Sequence, residues 1–148
     1  MKIKALKTYR SMICFMKLFT FIRHGEPDTG LDYLLDLDGN VEVQNGQGYW
    51  IKMDACRVEV TPDRPHGIRY CLTLHAPDGR RLVGYDNAHA VKPPGSRFKH
   101  AARRYPFDHR HPYGTDVEVL YEFDTAYQLL SDFYAEVDKV LKQLMESP

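Results

Sequence analysis

Through much of residues 31–87 apolar and polar positions alternate, which is the period of a half-buried β-strand. Leu31, Tyr33, Leu35 and Leu37 form the first such set. Asp38-Gly39-Asn40 then signals a turn, so Val41-Glu42-Val43 is expected to return as its hairpin partner. Asn45-Gly46-Gln47-Gly48 makes a second turn, and residues 49–60 read as a longer strand whose alternation slips near Ala55-Cys56, as at a bulge. Pro62 and Pro65 mark a loop. Ile68, Tyr70, Leu72 and Leu74 alternate cleanly with Arg69, Cys71, Thr73 and His75. Ala76-Pro77-Asp78-Gly79 is a tight turn, since proline presets φ and glycine tolerates φ > 0, and residues 80–87 run back beside the preceding strand.

The pattern breaks after Asn87. Pro93-Pro94-Gly95 opens a polar loop that is expected to reach about Gly114, and loops of that length in compact domains are often functional. Val117, Val119 and Tyr121 suggest one more short strand. Thr125 and Gln128 are spaced as a capping box. Behind them Ala126, Leu129, Leu130, Phe133, Val137, Leu141 and Leu144 recur every three or four residues, the stripe of an amphipathic helix. No strand–helix–strand alternation appears, which argues against a parallel sheet. The expected fold is α+β: a mainly antiparallel sheet of about 4–6 strands with the C-terminal helix packed on one face.

The 148 residues suffice for one domain, taken as 31–148, preceded by a basic and apolar extension over 1–30. In that extension Lys2, Lys4, Lys7 and Arg10 precede an apolar run, as in a signal peptide. Lys17 interrupts the run and no small-x-small cleavage site follows, so a cytoplasmic protein without a membrane segment is expected. Translation from Met12 or Met16 is an alternative. Three cysteines, Cys14, Cys56 and Cys71, with no C-x-x-C fit a reducing compartment and neither a disulfide framework nor a zinc knuckle.

The formal net charge of zero conceals an asymmetry. Residues 80–111 carry Arg80, Arg81, Lys92, Arg97, Lys99, Arg103, Arg104 and Arg110 against Asp86 and Asp108. From Asp116 onward acidic residues dominate. Such a basic lobe suits a polyanion or an acidic protein, or neutralisation by the acidic helix of the same molecule.

Apolar residues ending in Arg23-His24-Gly25 resemble the histidine phosphatase signature, which remains a remote alternative. That chemistry needs a following helix and a doubly wound sheet, whereas strand patterns follow here.

Four short stretches carry a different resemblance: Leu82-Val83-Gly84-Tyr85-Asp86-Asn87, Asp108-His109-Arg110-His111 with Pro112-Tyr113-Gly114, Tyr121-Glu122-Phe123, and Leu129-Leu130-Ser131-Asp132-Phe133-Tyr134-Ala135-Glu136-Val137. In this order and spacing the chain resembles the TumE family, toxins of bacterial toxin–antitoxin modules. The resemblance implies a toxin role and a cognate antitoxin encoded nearby. It implies no list of catalytic residues.

Those candidates come from residue chemistry. His109 and His111 project from one face if extended, and histidine serves as acid or base near neutrality. Asp86 ends a strand and is placed to orient an imidazole. Arg103, Arg104 and Arg110 can fork onto phosphate, and Tyr85 and Tyr113 can stack on bases. The set fits a metal-independent ribonuclease, or an RNA-binding toxin, with no cofactor. The alternatives are a non-catalytic adaptor whose basic loop binds an acidic partner, solvated loop histidines, an Asx turn at Asp86-Asn87, and a metal held by Asp86, His109 and His111. The last lacks a third histidine or second carboxylate placed by sequence, so no metal is expected.

Overall fold

The computed structural model describes residues 29–89 and 107–146. In chain order these form α1 (Thr29–Asp36), β1 (Asn40–Val43), β2 (Trp50–Arg57), β3 (Ile68–His75), β4 (Arg81–Asp86), β5 (His109–His111), β6 (Val119–Leu120) and α2 (Ala126–Glu146). The strands make one six-stranded sheet in sequence order, every neighbouring pair antiparallel. The α+β class, the antiparallel sheet and the C-terminal helix are thus as the sequence indicates.

One sheet face carries the core. Ile51, Met53 and Ala55 of β2, Ile68, Tyr70, Leu72 and Leu74 of β3, and Val83 and Tyr85 of β4 are buried with Leu129, Leu130, Phe133 and Val137 of α2. The register sets Ile51 opposite Leu74, Met53 opposite Leu72 and Ala55 opposite Tyr70, so alternate positions of both strands feed the same layer. The β2–β3 ladder runs unbroken from Trp50↔His75 to Arg57↔Ile68, so no bulge occurs at Ala55-Cys56. The register shift falls instead at Leu74/His75, next to the hairpin turn where Gly79 has φ +86° and donates its N–H to Ala76 O at 2.9 Å.

α2 begins as its sequence indicates, with Thr125 Oγ1 accepting the Gln128 N–H at 3.1 Å. The Gln128 side chain turns outward and donates to Asp132 Oδ1 at 2.7 Å.

The first expected strand is a helix. Leu31, Tyr33, Leu35 and Leu37 are all only half-buried, whereas Leu34 is fully buried and packs into the core. Leu31, Leu34 and Leu35 also satisfy the three- and four-residue helical spacing, and tertiary packing selects it. Gly30 lets α1 approach α2, since a Cβ there would lie 2.6 Å from the Tyr127 backbone N. β1 therefore pairs with β2 and not with residues 31–37.

The expected polar loop after Asn87 contains β5, paired with β4 and β6. The basic residues of 90–106, including Arg103 and Arg104, lie outside the described residues, as do Arg23-His24-Gly25 and Cys14. Cys56 and Cys71 are unpaired.

Candidate functional site

β5 decides where the candidate side chains go. Its register sets His109 opposite Asp86, Arg110 opposite Tyr85 and His111 opposite Gly84. Opposite residues share a face, so Asp86, His109 and His111 stand together on the face away from the core. Gly84 makes room for the His111 ring: a Cβ there would lie 3.2 Å from His111 Cδ2.

Within this cluster the Asp86 carboxylate lies between the imidazoles. Asp86 Oδ1 is 3.2 Å from His109 Nε2, and Oδ2 is 3.2 Å from His111 Nε2. Oδ1 also accepts the Ala88 N–H at 3.1 Å, the expected Asx turn. The histidine rings meet edge-on with centroids 4.9 Å apart. His109 is fully buried, and its Nδ1–H donates to Phe107 O at 2.8 Å. Its Nε2 faces Asp86 but makes no hydrogen bond of acceptable direction. His89 stacks obliquely on His109 with centroids 4.7 Å apart, and its Nε2 pairs with Glu118 Oε1 at 3.1 Å.

The electrostatics follow from these contacts. Burial opposes ionisation of Asp86, yet His109, the Ala88 N–H and His111 bring its pKa down to about 2. Burial alone would lower His109, but the Asp86 carboxylate and the Phe107 carbonyl outweigh it and raise its pKa. His111 moves the other way, lowered by burial and by the nearby Arg81 guanidinium against the pull of Asp86. Asp86 draws both imidazoles the same way, and the Phe107 carbonyl beside one and the Arg81 guanidinium beside the other separate their behaviour.

His111, the more exposed of the two histidines, opens on a cleft of about 510 Å³ lined also by Arg80, Arg81, Tyr113 and Glu118. Tyr113 is exposed there, as a stacking residue must be.

Arg110 and Tyr85 point to the opposite face. Arg110 Nη1 pairs with Glu136 Oε2 of α2 at 3.1 Å, above a separate hollow lined by Tyr85, Tyr121, Asp132 and Lys139. Tyr85 is 3% exposed and packs edge-on against Tyr121 and Phe133, which leaves no ring face for a base. The structure therefore brings Asp86, His109, His111 and Tyr113 together and separates Arg110 and Tyr85 from them.

Asp108 also points to the core side, accepting from Tyr70 Oη at 2.7 Å and contacting His66 Nε2 at 3.2 Å. Sequence reasoning left His89 and Glu118 without roles and did not place Arg80 and Arg81 at the site. The available signal was position, since His89 lies three residues beyond Asp86, Arg81 begins the same strand and Arg80 immediately precedes it.

The described fold and its polar cluster define a small α+β protein with one concentrated His–carboxylate centre on a sheet face. The profile of the family described as Toxin TumE matches residues 37–141, most of the chain, and the protein belongs to that toxin family. No curated protein and no solved structure matches the chain. Among the described residues no helix is long and apolar enough to cross a membrane.

Proposed function

We propose that this TumE-family chain is the toxin of a toxin–antitoxin pair, that it cleaves RNA, and that a cognate antitoxin encoded nearby neutralises it. The observation that supports this most is His111, held by Asp86 at the edge of a cleft that carries Arg80 and Arg81. Cleavage by the 2′-hydroxyl forms a bond from O2′ to phosphorus and breaks the P–O5′ bond. The hydroxyl proton must go to a base, and the departing 5′-oxygen must gain one. Asp86, His109 and His111 form the proton-handling centre in this reading, and Arg80 and Arg81 offset the charge on the phosphorane. His109, with no exposed surface, acts from behind Asp86 and leaves substrate contact to His111. Arg110 serves the sheet–helix junction through Glu136.

The test is cleavage of labelled RNA by the purified chain, alongside growth on induced expression with and without the neighbouring gene. His111→Ala should lower the cleavage rate by about 10²–10⁴-fold, the usual contribution of a proton-transfer centre, and relieve the growth arrest. Cleavage unchanged in His111→Ala, or growth arrest without any RNA cleavage, overturns the ribonuclease reading and leaves a binding toxin.

A further inference from the structure

The unexplained feature of the cluster is His109 Nε2. Its ring is fully buried, and its other nitrogen donates to Phe107 O at 2.8 Å. In the neutral imidazole that bond assigns the proton to Nδ1 and leaves a lone pair on Nε2. This lone pair faces the Asp86 carboxylate at 3.2 Å without making a hydrogen bond. Two electron-rich atoms held so close in a buried site require a cation between them or an added proton on the ring.

We infer that Asp86, His109 and His111 form a binding site for one divalent first-row transition metal ion. The donor atoms of these three residues all lie within 4.8 Å of one another. Both carboxylate–imidazole separations are 3.2 Å. Tetrahedral Zn²⁺ with ligands at about 2.0–2.1 Å sets neighbouring ligand atoms about 3.3–3.4 Å apart, so the edge between His109 Nε2 and Asp86 Oδ1 is already near its final length. A backbone carbonyl on the distal nitrogen is the usual support of a ligating histidine, because it fixes both tautomer and ring orientation. Two imidazoles and one carboxylate suit zinc, iron or nickel better than magnesium or calcium, which prefer all-oxygen shells.

His89, His109 and Glu118 form an overlapping set. One lone pair on His109 binds one ion, so the two sets compete, and the buried carboxylate favours the first. Three protein ligands leave a coordination position for water or a phosphodiester oxygen. The inference rests on the site of the RNA reading and replaces the proton-handling role given there to the histidines. With the ion in place His111 is a ligand and the base is a water on the metal, whose pKa falls towards about 7.

The experiment is calorimetric titration of Zn²⁺ into the full chain after EDTA stripping and dialysis, with the visible spectrum of the Co²⁺ form as a second readout. One equivalent should bind, raise the unfolding temperature and give the d–d bands of a nitrogen–oxygen site. Since His109 is fully buried and His109→Ala would leave a cavity, the variants are His111→Ala and Asp86→Asn, checked for folding by circular dichroism. Each should weaken binding by more than about tenfold. No binding by the folded wild type, or equal binding in both variants, overturns the site. Zinc bound at these residues by a chain that leaves RNA intact supports the metal site and removes the ribonuclease reading. RNA cleavage by a stripped chain that binds no zinc does the reverse.

Discussion

Asn87 offers the sharpest test of how the sheet face is held. Its side chain is fully buried and acts as one more residue of β-ladder. Oδ1 accepts the Tyr70 N–H at 3.0 Å, and Nδ2 donates to Ile68 O at 2.9 Å. Its own N–H donates to Tyr70 O at 3.3 Å, while its carbonyl accepts from Arg64 Nε at 3.1 Å and Nη2 at 2.9 Å. Asn87→Ala keeps the backbone bonds and orphans Tyr70 N–H and Ile68 C=O. Leaving a buried polar group unsatisfied costs about 1–3 kcal/mol, so two should cost about 2–4 kcal/mol once partial access of water is allowed. With a slope of about 1–3 kcal/mol/M, the urea midpoint should fall by about 1–2 M. Asn87→Asp separates the two bonds. Its carboxylate still accepts from Tyr70 but sets a negative oxygen against Ile68 O. Protonation restores a donor, so folding raises the pKa of the introduced carboxyl. The penalty is then full above the folded pKa and is relieved as pH falls from it to the unfolded value of about 3.9, so with a penalty of about 1–3 kcal/mol this variant should recover towards wild type between about pH 6 and pH 4. Asn87→Ala within about 0.5 kcal/mol of wild type, or Asn87→Asp with no recovery in acid, would refute the reasoning.

Leu130 is fully buried on the inner face of α2, so Leu130→Ala should cost about 2–5 kcal/mol in urea or thermal unfolding, and a neutral result would mean α2 is not docked as described. Gly30→Ala should cost about 1–3 kcal/mol by overpacking, because the added methyl would meet the Tyr127 backbone at 2.6 Å. Wild-type stability in that variant would show that α1 does not close onto the start of α2.

The elements legible in advance were those whose local signals agree with their burial. The β3–β4 hairpin combined clean alternation with Pro77 and Gly79 at the required turn positions, and both strands pair as expected. α2 combined a capping threonine with an unbroken apolar stripe. Residues 31–37 were ambiguous because leucines fill so many positions that both periods fit. The choice lies in Gly30 and Leu34, whose contacts with Tyr127 and the core become visible only once α2 is in place. The apparent slip at Ala55-Cys56 had a similar origin. Ala55 is small, yet it occupies a buried position opposite Tyr70, so the alternation continues through a residue that contributes little apolar weight.

At the candidate site the two-residue spacing of His109 and His111 was sufficient to set them on one face, and the strand end at Asp86 was sufficient to bring a carboxylate there. The same period that joins the histidines necessarily sends Arg110 to the other face. An arginine between two histidines of a strand cannot share their substrate without a break in the ladder, and β5 shows none. Tyr85 follows the same rule from β4, since it is opposite Arg110 and one residue from Asp86. Alternation therefore excluded both from the cluster, while among the described residues Arg80 and Arg81 supply the arginines of the cleft beside His111. The buried Nε2 of His109 was beyond any sequence signal, because it depends on the backbone carbonyl that Phe107 presents to the opposite nitrogen. That carbonyl sets the tautomer of one of two similar histidines and aims its Nε2 at a carboxylate, and this asymmetry is what the proposed ion site rests on.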